Sequence, residues 1–250
     1  MTPKPPKTTA VPYVIAQAWR ILLIEDEPFT RAVLVEGLRS QGVSNIAQAG
    51  EVDEAKQLMV GDDRRFDCVV SDFELPGKHG LQFLQMVRMG MTGARRSVPF
   101  IIVTSHADRH LVAPAIELDV SAFLGKPVDP VDFVGKLHRA ITRGIVPKPV
   151  AEYALVPVGD LKPSVAKLFA SGVASHLTFQ PMTGHVLMST KDLETGMIIS
   201  RPVLDPRGEE LMPAGTKLSQ RLLDCLQDLA RFESCYEQAW IKTDSSAPAA

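Results

Sequence analysis

The chain has 250 residues, 45% of them apolar, and its 27 basic and 29 acidic residues give a formal net charge of −2. This length suffices for one large core or for two ordinary domains of about 100–150 residues. Because the charges nearly balance, no global field draws the protein onto nucleic acid or an anionic membrane, and any such binding would have to be local.

The three cysteines point to a reducing compartment. Cys68, Cys225 and Cys235 have neither zinc-ligand spacing nor the pattern of a disulfide framework. No apolar run approaches the ~20 residues of a membrane span, and no signal peptide is recognisable. We expect a cytoplasmic protein without membrane insertion, with flexible tails at residues 1–19 and 244–250.

From residue 20 to about 142, short apolar runs alternate with amphipathic stretches. The predicted strands are residues 21–24, 46–49, 68–71, 100–103 and 122–124. The first predicted helix begins at Pro28 and ends near Gly42, and the others are 51–59, 81–89, 107–118 and 130–142. Pro114 should kink or shorten the fourth helix. This alternation predicts an α/β fold, a doubly wound five-stranded parallel sheet with helices on both faces.

The rest of the chain has a different character. Residues 144–160 hold Pro147, Pro149 and Pro157 without clear periodicity, which predicts a linker. Beyond it, we expect a helix near 161–169, short strands at 186–188, 197–200 and 210–212, and a turn at 205–208. A leucine stripe over 222–229 predicts a helix that Ser219 could cap. Residues 161–243 should therefore form a small α+β domain.

Three carboxylates are expected at one edge of the sheet. Glu25 and Asp26 end the first strand and Asp72 ends the third, and the carboxyl ends of parallel strands line a common crevice. Like charges ~4 Å apart at an effective dielectric of ~20 repel by about 4 kcal/mol, so the cluster needs a divalent cation or a raised pKa. Oxygen ligands favour Mg²⁺. Glu25 and Asp26 alone would be equally well explained as acids preceding a helix.

Two further side chains belong to the same edge. Thr104 ends the fourth strand and Lys126 the fifth, which adds a hydroxyl and an ammonium group to the acids. In the reaction this set favours, the Asp72 carboxylate attacks phosphorus, Mg²⁺ and Lys126 neutralise the phosphoryl oxygens, and Thr104 donates a hydrogen bond. The residues therefore predict a phosphoryl-transfer site.

Four segments carry a family resemblance: Ile-Glu-Asp-Glu-Pro at 24–28, Asp-Phe-Glu-Leu-Pro at 72–76, Ile-Val-Thr-Ser at 102–105 and Phe-Leu-Gly-Lys-Pro at 123–127. With them, residues 20–143 resemble the receiver domain of bacterial two-component response regulators. The resemblance implies a flavodoxin-like fold and an Asp72 that accepts phosphoryl from a histidine kinase or phosphotransfer protein. It also implies that Glu25, Asp26, Asp72 and the backbone carbonyl of Glu74 surround Mg²⁺.

The resemblance further implies a switch. Thr104 would move toward the phosphoryl group and Phe123 would turn inward; the alternative for Phe123 is a plain core aromatic. The Lys126–Pro127 bond is expected to be cis. Asp119 stands where the family often has glycine, Ser105 where it often has alanine, and Glu74 and His106 at positions that influence the access of water to the phosphoryl group.

The C-terminal half has a weaker resemblance. Residues 191–197 and 211–216 are similar to a small β-rich module found beside HD-GYP phosphodiesterase domains, but the chain contains neither a His-Asp doublet nor Gly-Tyr-Pro. After residue 150, acidic residues outnumber basic ones, which disfavours a DNA-binding output. We expect a non-catalytic module that binds an unknown protein partner or forms a homodimer.

Two other functions remain open from the sequence. An aspartate-nucleophile phosphatase would also use Asp, Thr, Lys and Mg²⁺, but its nucleophile belongs on the first strand, which here carries the acid pair. A scaffold protein with an unphosphorylated receiver is the second alternative. Turnover of a generic phosphate ester would favour the phosphatase; otherwise the chain is expected to be a phosphoryl-accepting signalling protein rather than an enzyme.

Overall fold

The computed structural model describes residues 16–61, 65–104, 109–158, 184–204, 210–231 and 236–242. Contacts between residues divide the chain into two compact units. The first unit comprises the described residues up to 104 and residues 114–158. The second comprises residues 109–113 and those from 184 onward.

The first unit is built on a five-stranded parallel sheet. Its strands are β1 (Arg20–Ile24), β2 (Asn45–Ala49), β3 (Cys68–Asp72), β4 (Phe100–Thr104) and β5 (Ala122–Gly125). Their order is β2-β1-β3-β4-β5, and every pairing is parallel. All residues of β3 and β4 are buried, as expected for strands covered by helices on both faces. The predicted α/β fold is confirmed.

Five helices connect and follow these strands: α1 (Pro28–Ser40), α2 (Val52–Met59), α3 (Gly80–Arg88), α4 (Arg109–Glu117) and α5 (Pro130–Arg143). Side chains at the preceding residue cap three of them, namely Glu27 for α1, His79 for α3 and Asp129 for α5. Pro114 lies inside α4, which ends one residue before the predicted 107–118 does; residues 107 and 108 lie outside the described part of the chain.

A buried arginine closes the end of the sheet opposite the strand ends that carry the acids. Arg88, the last residue of α3, is completely buried. Its guanidinium donates hydrogen bonds to the backbone carbonyls of Arg96, Val98, Leu118 and Asp119, at 2.6, 2.8, 3.1 and 3.0 Å. This one side chain therefore joins the end of α3 to the segment entering β4 and to the turn that follows α4.

Residues 144–158, which we call the strap, differ from the linker predicted at 144–160. They belong to the first unit and contain a short helix, α6 (Val150–Ala154). Tyr153 is completely buried, and its hydroxyl donates to Asp119 Oδ2 at 2.7 Å. The Gln85 amide of α3 donates to the carbonyls of Tyr153 and Val156, both at 2.8 Å. The prolines suggested a spacer, but the buried aromatic side chain and these hydrogen bonds fix the segment on the domain.

The second unit contains small antiparallel sheets and a helix, which confirms the predicted α+β character. Strand β6 (His185–Ser189) pairs with β9 (Gln238–Lys242), and β7 (Val203–Leu204) with β8 (Glu210–Met212). Helix α7 (Gln220–Leu229) begins after Ser219, whose hydroxyl accepts from the Leu222 N–H as predicted. None of the helices that the structure describes is long and apolar enough to cross a membrane.

The strand predictions in this unit need correction. Residues 197–200 form only isolated bridges, Ile198 with Lys217 and Ile199 with Ile241. Strands β7 and β9 were missed, because β7 has only two residues and the five residues of β9 give no clear alternation. The helix predicted near 161–169 and the turn at 205–208 lie outside the described residues.

Candidate functional site

The three acidic side chains converge at the carboxyl edge of the sheet. Strands β1 and β3 are neighbours, so Glu25, directly after β1, and Asp72, the last residue of β3, end side by side. Carboxylate oxygens of Glu25, Asp26 and Asp72 all lie within 4.8 Å of one another. Glu25 and Asp72 are buried, whereas Asp26 is exposed. The structure thus brings together the acids that the sequence analysis placed at one edge.

Lys126 bridges two of these acids. It follows β5, and its ammonium Nζ donates to Glu25 Oε2 at 2.6 Å and to Asp72 Oδ2 at 3.0 Å. The backbone N–H of Lys126 donates to the carbonyl of Thr104 at 2.9 Å, which ties the β5 end to the β4 end. Burial disfavours the charged form, but the hydrogen bonds to Glu25 and Asp72 outweigh it and raise the pKa of Lys126. These contacts therefore favour the charged form of Lys126 at this site.

The charge balance of the cluster is incomplete. Burial, and then the negative charge of Glu25, raise the pKa of Asp72 to about 6, while Lys126 and the Phe73 N–H act in the opposite direction. Lys126 compensates one of the three negative charges. A divalent cation would remove the remaining repulsion, and a donor set made of carboxylates fits Mg²⁺.

The other predicted residues lie at the same edge or just behind it. Thr104 ends β4 one residue beyond Val103, the register partner of Asp72, and is 8% exposed. Phe123 is buried within β5, and the buried Lys136 ammonium donates to its carbonyl. Glu74 is exposed, two residues after Asp72. The switch role of Thr104 and Phe123, and metal binding by the Glu74 carbonyl, stay predictions.

Two further expectations concern the loops around the site. The Lys126–Pro127 peptide bond is cis, as predicted. Asp119 takes the left-handed conformation, with φ of 55°, at the position where the family often has glycine. Ser105 and His106 lie outside the described residues.

The structure adds contacts that the sequence analysis missed. The Phe73 N–H donates to Asp72 Oδ1 at 2.8 Å and so fixes the orientation of that carboxylate. Gly80, the first residue of α3, lies so close that a Cβ there would be 2.5 Å from the Asp72 carbonyl oxygen. The physical role of Gly80 is to let α3 begin against the Asp72 backbone.

We expect Gly80→Ala to destabilise the first unit by about 1–3 kcal/mol, because an added methyl group must displace the backbone that carries Asp72. Urea unfolding measures the effect. Gly135→Ala in α5 is the matched control, since its Cβ would meet only the flexible end of Arg139 at 3.7 Å and alanine favours a helix. Equal unfolding midpoints for the two variants would contradict the close approach at Gly80.

A doubly wound parallel sheet with acids, a threonine and a lysine at its carboxyl edge defines a flavodoxin-like domain with a candidate phosphoryl site. Residues 21–138 match the family model described as "Response regulator receiver domain". The probable chemotaxis protein CheY of Rhizobium etli is 32% identical over 113 residues, which cover 45% of this chain and 84% of that protein. The chain belongs to the response regulator receiver family, and its first unit is a two-component signalling domain.

Other relatives and solved structures match about half of the chain. The transcriptional regulatory protein PdtaR of Mycobacterium tuberculosis is 28% identical over 124 residues, covering 50% of this chain and 57% of that protein. A receiver domain protein of Clostridium thermocellum is 23% identical with a TM-score of 0.45, covering 50% of this chain and 95% of that one. A receiver domain of Pseudomonas aeruginosa, solved with magnesium in its active site cleft, is 26% identical with a TM-score of 0.42. The match covers 50% of this chain and 98% of that chain.

Proposed function

We propose that this protein accepts a phosphoryl group on Asp72 from a histidine kinase or phosphotransfer protein, in a reaction that requires Mg²⁺. The observation that carries the proposal is the position of Lys126 Nζ, 3.0 Å from Asp72 and 2.6 Å from Glu25, inside a cluster of three carboxylates. This arrangement holds a buried nucleophile beside a fixed positive charge, which phosphoryl transfer needs.

The chain's own residues account for each part of the transfer. An Asp72 oxygen attacks phosphorus as the bond from phosphorus to the donor's imidazole nitrogen breaks, and the product is a mixed anhydride on Asp72. Lys126 pairs with the phosphoryl oxygens, and the Thr104 hydroxyl donates to them. Glu25, Asp26, Asp72 and the Glu74 carbonyl would hold Mg²⁺, which when bound neutralises charge on the transferring group.

Small phosphodonors test this function without a partner protein. Intact-mass measurement should show one added phosphoryl group on the full chain, and chelation of Mg²⁺ should prevent it. Asp26→Asn should weaken Mg²⁺ binding, since it removes one ligand charge from the cluster. The chain should not turn over generic phosphate esters; steady turnover would favour the phosphatase alternative.

An apolar groove beside the site supports docking of the phosphoryl donor. It has a volume of about 470 Å³ and begins at Lys126. Its walls are Phe29 and Val33 of α1, Pro127 and Val128 of the β5–α5 loop, and Pro130 and Phe133 of α5. Phe29 is 75% exposed and Val33 54% exposed. Large apolar side chains exposed together are typical of a protein-binding surface.

Replacing Phe29 and Val33 by serine should slow phosphoryl transfer from a histidine kinase about tenfold or more, the loss expected when central apolar contacts are removed. Labelling by a small phosphodonor should be unchanged, because neither side chain belongs to the acidic cluster. The control replaces Val60 and Met91, which are similarly exposed but outside the groove. Equal slowing in both double variants would contradict a docking role for the groove.

The second unit is, in this proposal, the output of the switch. It would be a non-catalytic module that binds a downstream protein or a second copy of the chain when Asp72 is phosphorylated. Support comes from its acidic composition and from the absence of the HD-GYP catalytic sequence. Capture of partners by the full chain, with and without phosphodonor, tests it, and cyclic-dinucleotide hydrolysis by the protein would refute the non-catalytic role.

A further inference from the structure

The strap ends against the loop that follows the acceptor residue. His79 precedes α3, and its Nε2 lies 2.9 Å from the carbonyl oxygen of Val158. Val158 is the last described residue of the first unit before the chain continues toward the second. One side chain of the β3–α3 loop therefore holds the point at which the chain leaves the receiver.

Both ring nitrogens of His79 have a structural partner. Nδ1 accepts from the Gln82 N–H at 3.3 Å and caps α3, while the Gln82 side chain accepts from the His79 N–H at 3.1 Å. Since a carbonyl oxygen can only accept, Nε2 carries the proton and donates to Val158. The ring must keep one orientation to make both bonds, so a movement of the loop that rotates it breaks at least one of them.

His79 also touches the residue next to the acceptor. The rings of Phe73 and His79 stack with centroids 5.2 Å apart and an interplanar angle of 27°. The Phe73 N–H, shared with the carbonyl of Val103, donates to Asp72 Oδ1. A continuous set of contacts thus runs from the Asp72 carboxylate through Phe73 and His79 to Val158.

Phosphorylation acts on the first contact of this set. An anionic carboxylate is a strong acceptor for the Phe73 N–H. In the mixed anhydride the carboxylate loses its charge, whichever oxygen bears the phosphoryl group, so this hydrogen bond weakens or is lost. The Phe73 N–H is then held by the Val103 carbonyl alone, and the Phe73 ring that stacks on His79 becomes freer to shift.

We propose that the strap is a second output of the receiver, in which phosphorylation of Asp72 makes His79 release Val158 and loosens the exit of the chain. This inference rests on the proposed phosphoryl acceptance. It places a route to the second unit on α3, whereas the family resemblance implies movement of Thr104 and Phe123. The release changes the anchoring of the covalent connection itself, so it needs no additional contact with the second unit.

The other anchors of the strap are independent of the acceptor. Gln85 holds the carbonyls of Tyr153 and Val156, and Tyr153 donates to Asp119. Lys148 Nζ donates to the carbonyl of Glu117 at 2.8 Å. None of these bonds involves the β3–α3 loop, so phosphorylation should free the end of the strap and leave its start in place.

Hydrogen exchange of the full chain measures this directly. With a small phosphodonor and Mg²⁺, the backbone amides near residues 155–158 should exchange about fivefold faster in the wild type, the change that loss of one ordinary hydrogen bond produces. His79→Asn retains a side chain that can cap α3 but cannot reach Val158. This variant should show the faster exchange before phosphodonor is added and little further change afterwards.

Gln85→Ala is the matched control on the same helix. It should speed hydrogen exchange in the strap both with and without phosphodonor. The further increase in exchange rate on phosphorylation should remain. Unchanged exchange in wild-type protein whose intact mass shows the phosphoryl group would overturn the strap inference and leave the proposed function standing. Absence of the phosphoryl group would instead refute the proposed function. Slow exchange in unphosphorylated His79→Asn would separately refute the anchoring of Val158 by His79.

Discussion

The Asp72→Asn protein is expected to take up no phosphoryl group from a small phosphodonor, under conditions in which the wild type is labelled. The amide has nearly the shape of the carboxylate, but it lacks the anionic oxygen that attacks phosphorus. Its amide oxygen can still accept from the Phe73 N–H, and Lys126 keeps its hydrogen bond to Glu25, so the variant should fold. Intact-mass measurement with Mg²⁺ present compares the two proteins directly.

The control for this prediction is Glu74→Gln. Glu74 is two residues away and exposed, and only its backbone carbonyl is expected at the metal, so the variant should still take up a phosphoryl group, whatever its lifetime. Peptide mapping should find the phosphoryl group on Asp72. Labelling of a folded Asp72→Asn protein, at Glu25 for example, would show that another acid of the cluster is the acceptor.

Arg88→Met should lower the free energy of unfolding by about 3 kcal/mol or more. The substitution removes four hydrogen bonds from a charged donor and leaves buried carbonyls of Arg96, Val98, Leu118 and Asp119 to find other partners. Hydrogen bonds to charged groups are worth about 1.5–3 kcal/mol each, and their losses overlap when one side chain supplies them all. Urea unfolding of the full chain measures the loss.

Two matched variants separate the reasons for this effect. Arg88→Lys keeps the positive charge, but one ammonium group cannot replace the planar guanidinium at four carbonyls, so most of the loss should remain. Arg39→Met, at an exposed position in the last turn of α1, should change stability by only a few tenths of a kcal/mol. If Arg88→Met were no more destabilising than Arg39→Met, the carbonyl contacts would have no role in stability.

The strands and the acidic cluster were predictable because both depend on local sequence. Each buried strand is a short apolar run, and in a parallel sheet all such runs end at the same edge. The polar residue after each run therefore identifies the edge before any packing is known, as it did for Glu25, Asp72 and Lys126. The close pairing of Lys126 with Glu25 and Asp72 depends on side-chain conformation and needed the structure.

The strap was not predictable in the same way, because its anchors are distant in sequence. Gln85, Asp119 and His79 meet residues 153–158 across separations of 34–79 positions. Nothing in the local pattern of 144–160 distinguishes a proline-containing spacer from a segment that docks on the domain. The buried role of Arg88 was missed for a similar reason, since an arginine ending an amphipathic helix usually lies in solvent.

The strap also decides where this receiver can be joined to another protein. Asp119 is buried in a left-handed conformation, and its carboxylate accepts from Tyr153 and pairs with Lys148 at 3.4 Å. A chimera whose junction follows α5 at residue 143 would remove these two contacts from a buried carboxylate. A fusion joined after Val158 retains them. The transferable module is therefore the receiver together with its strap.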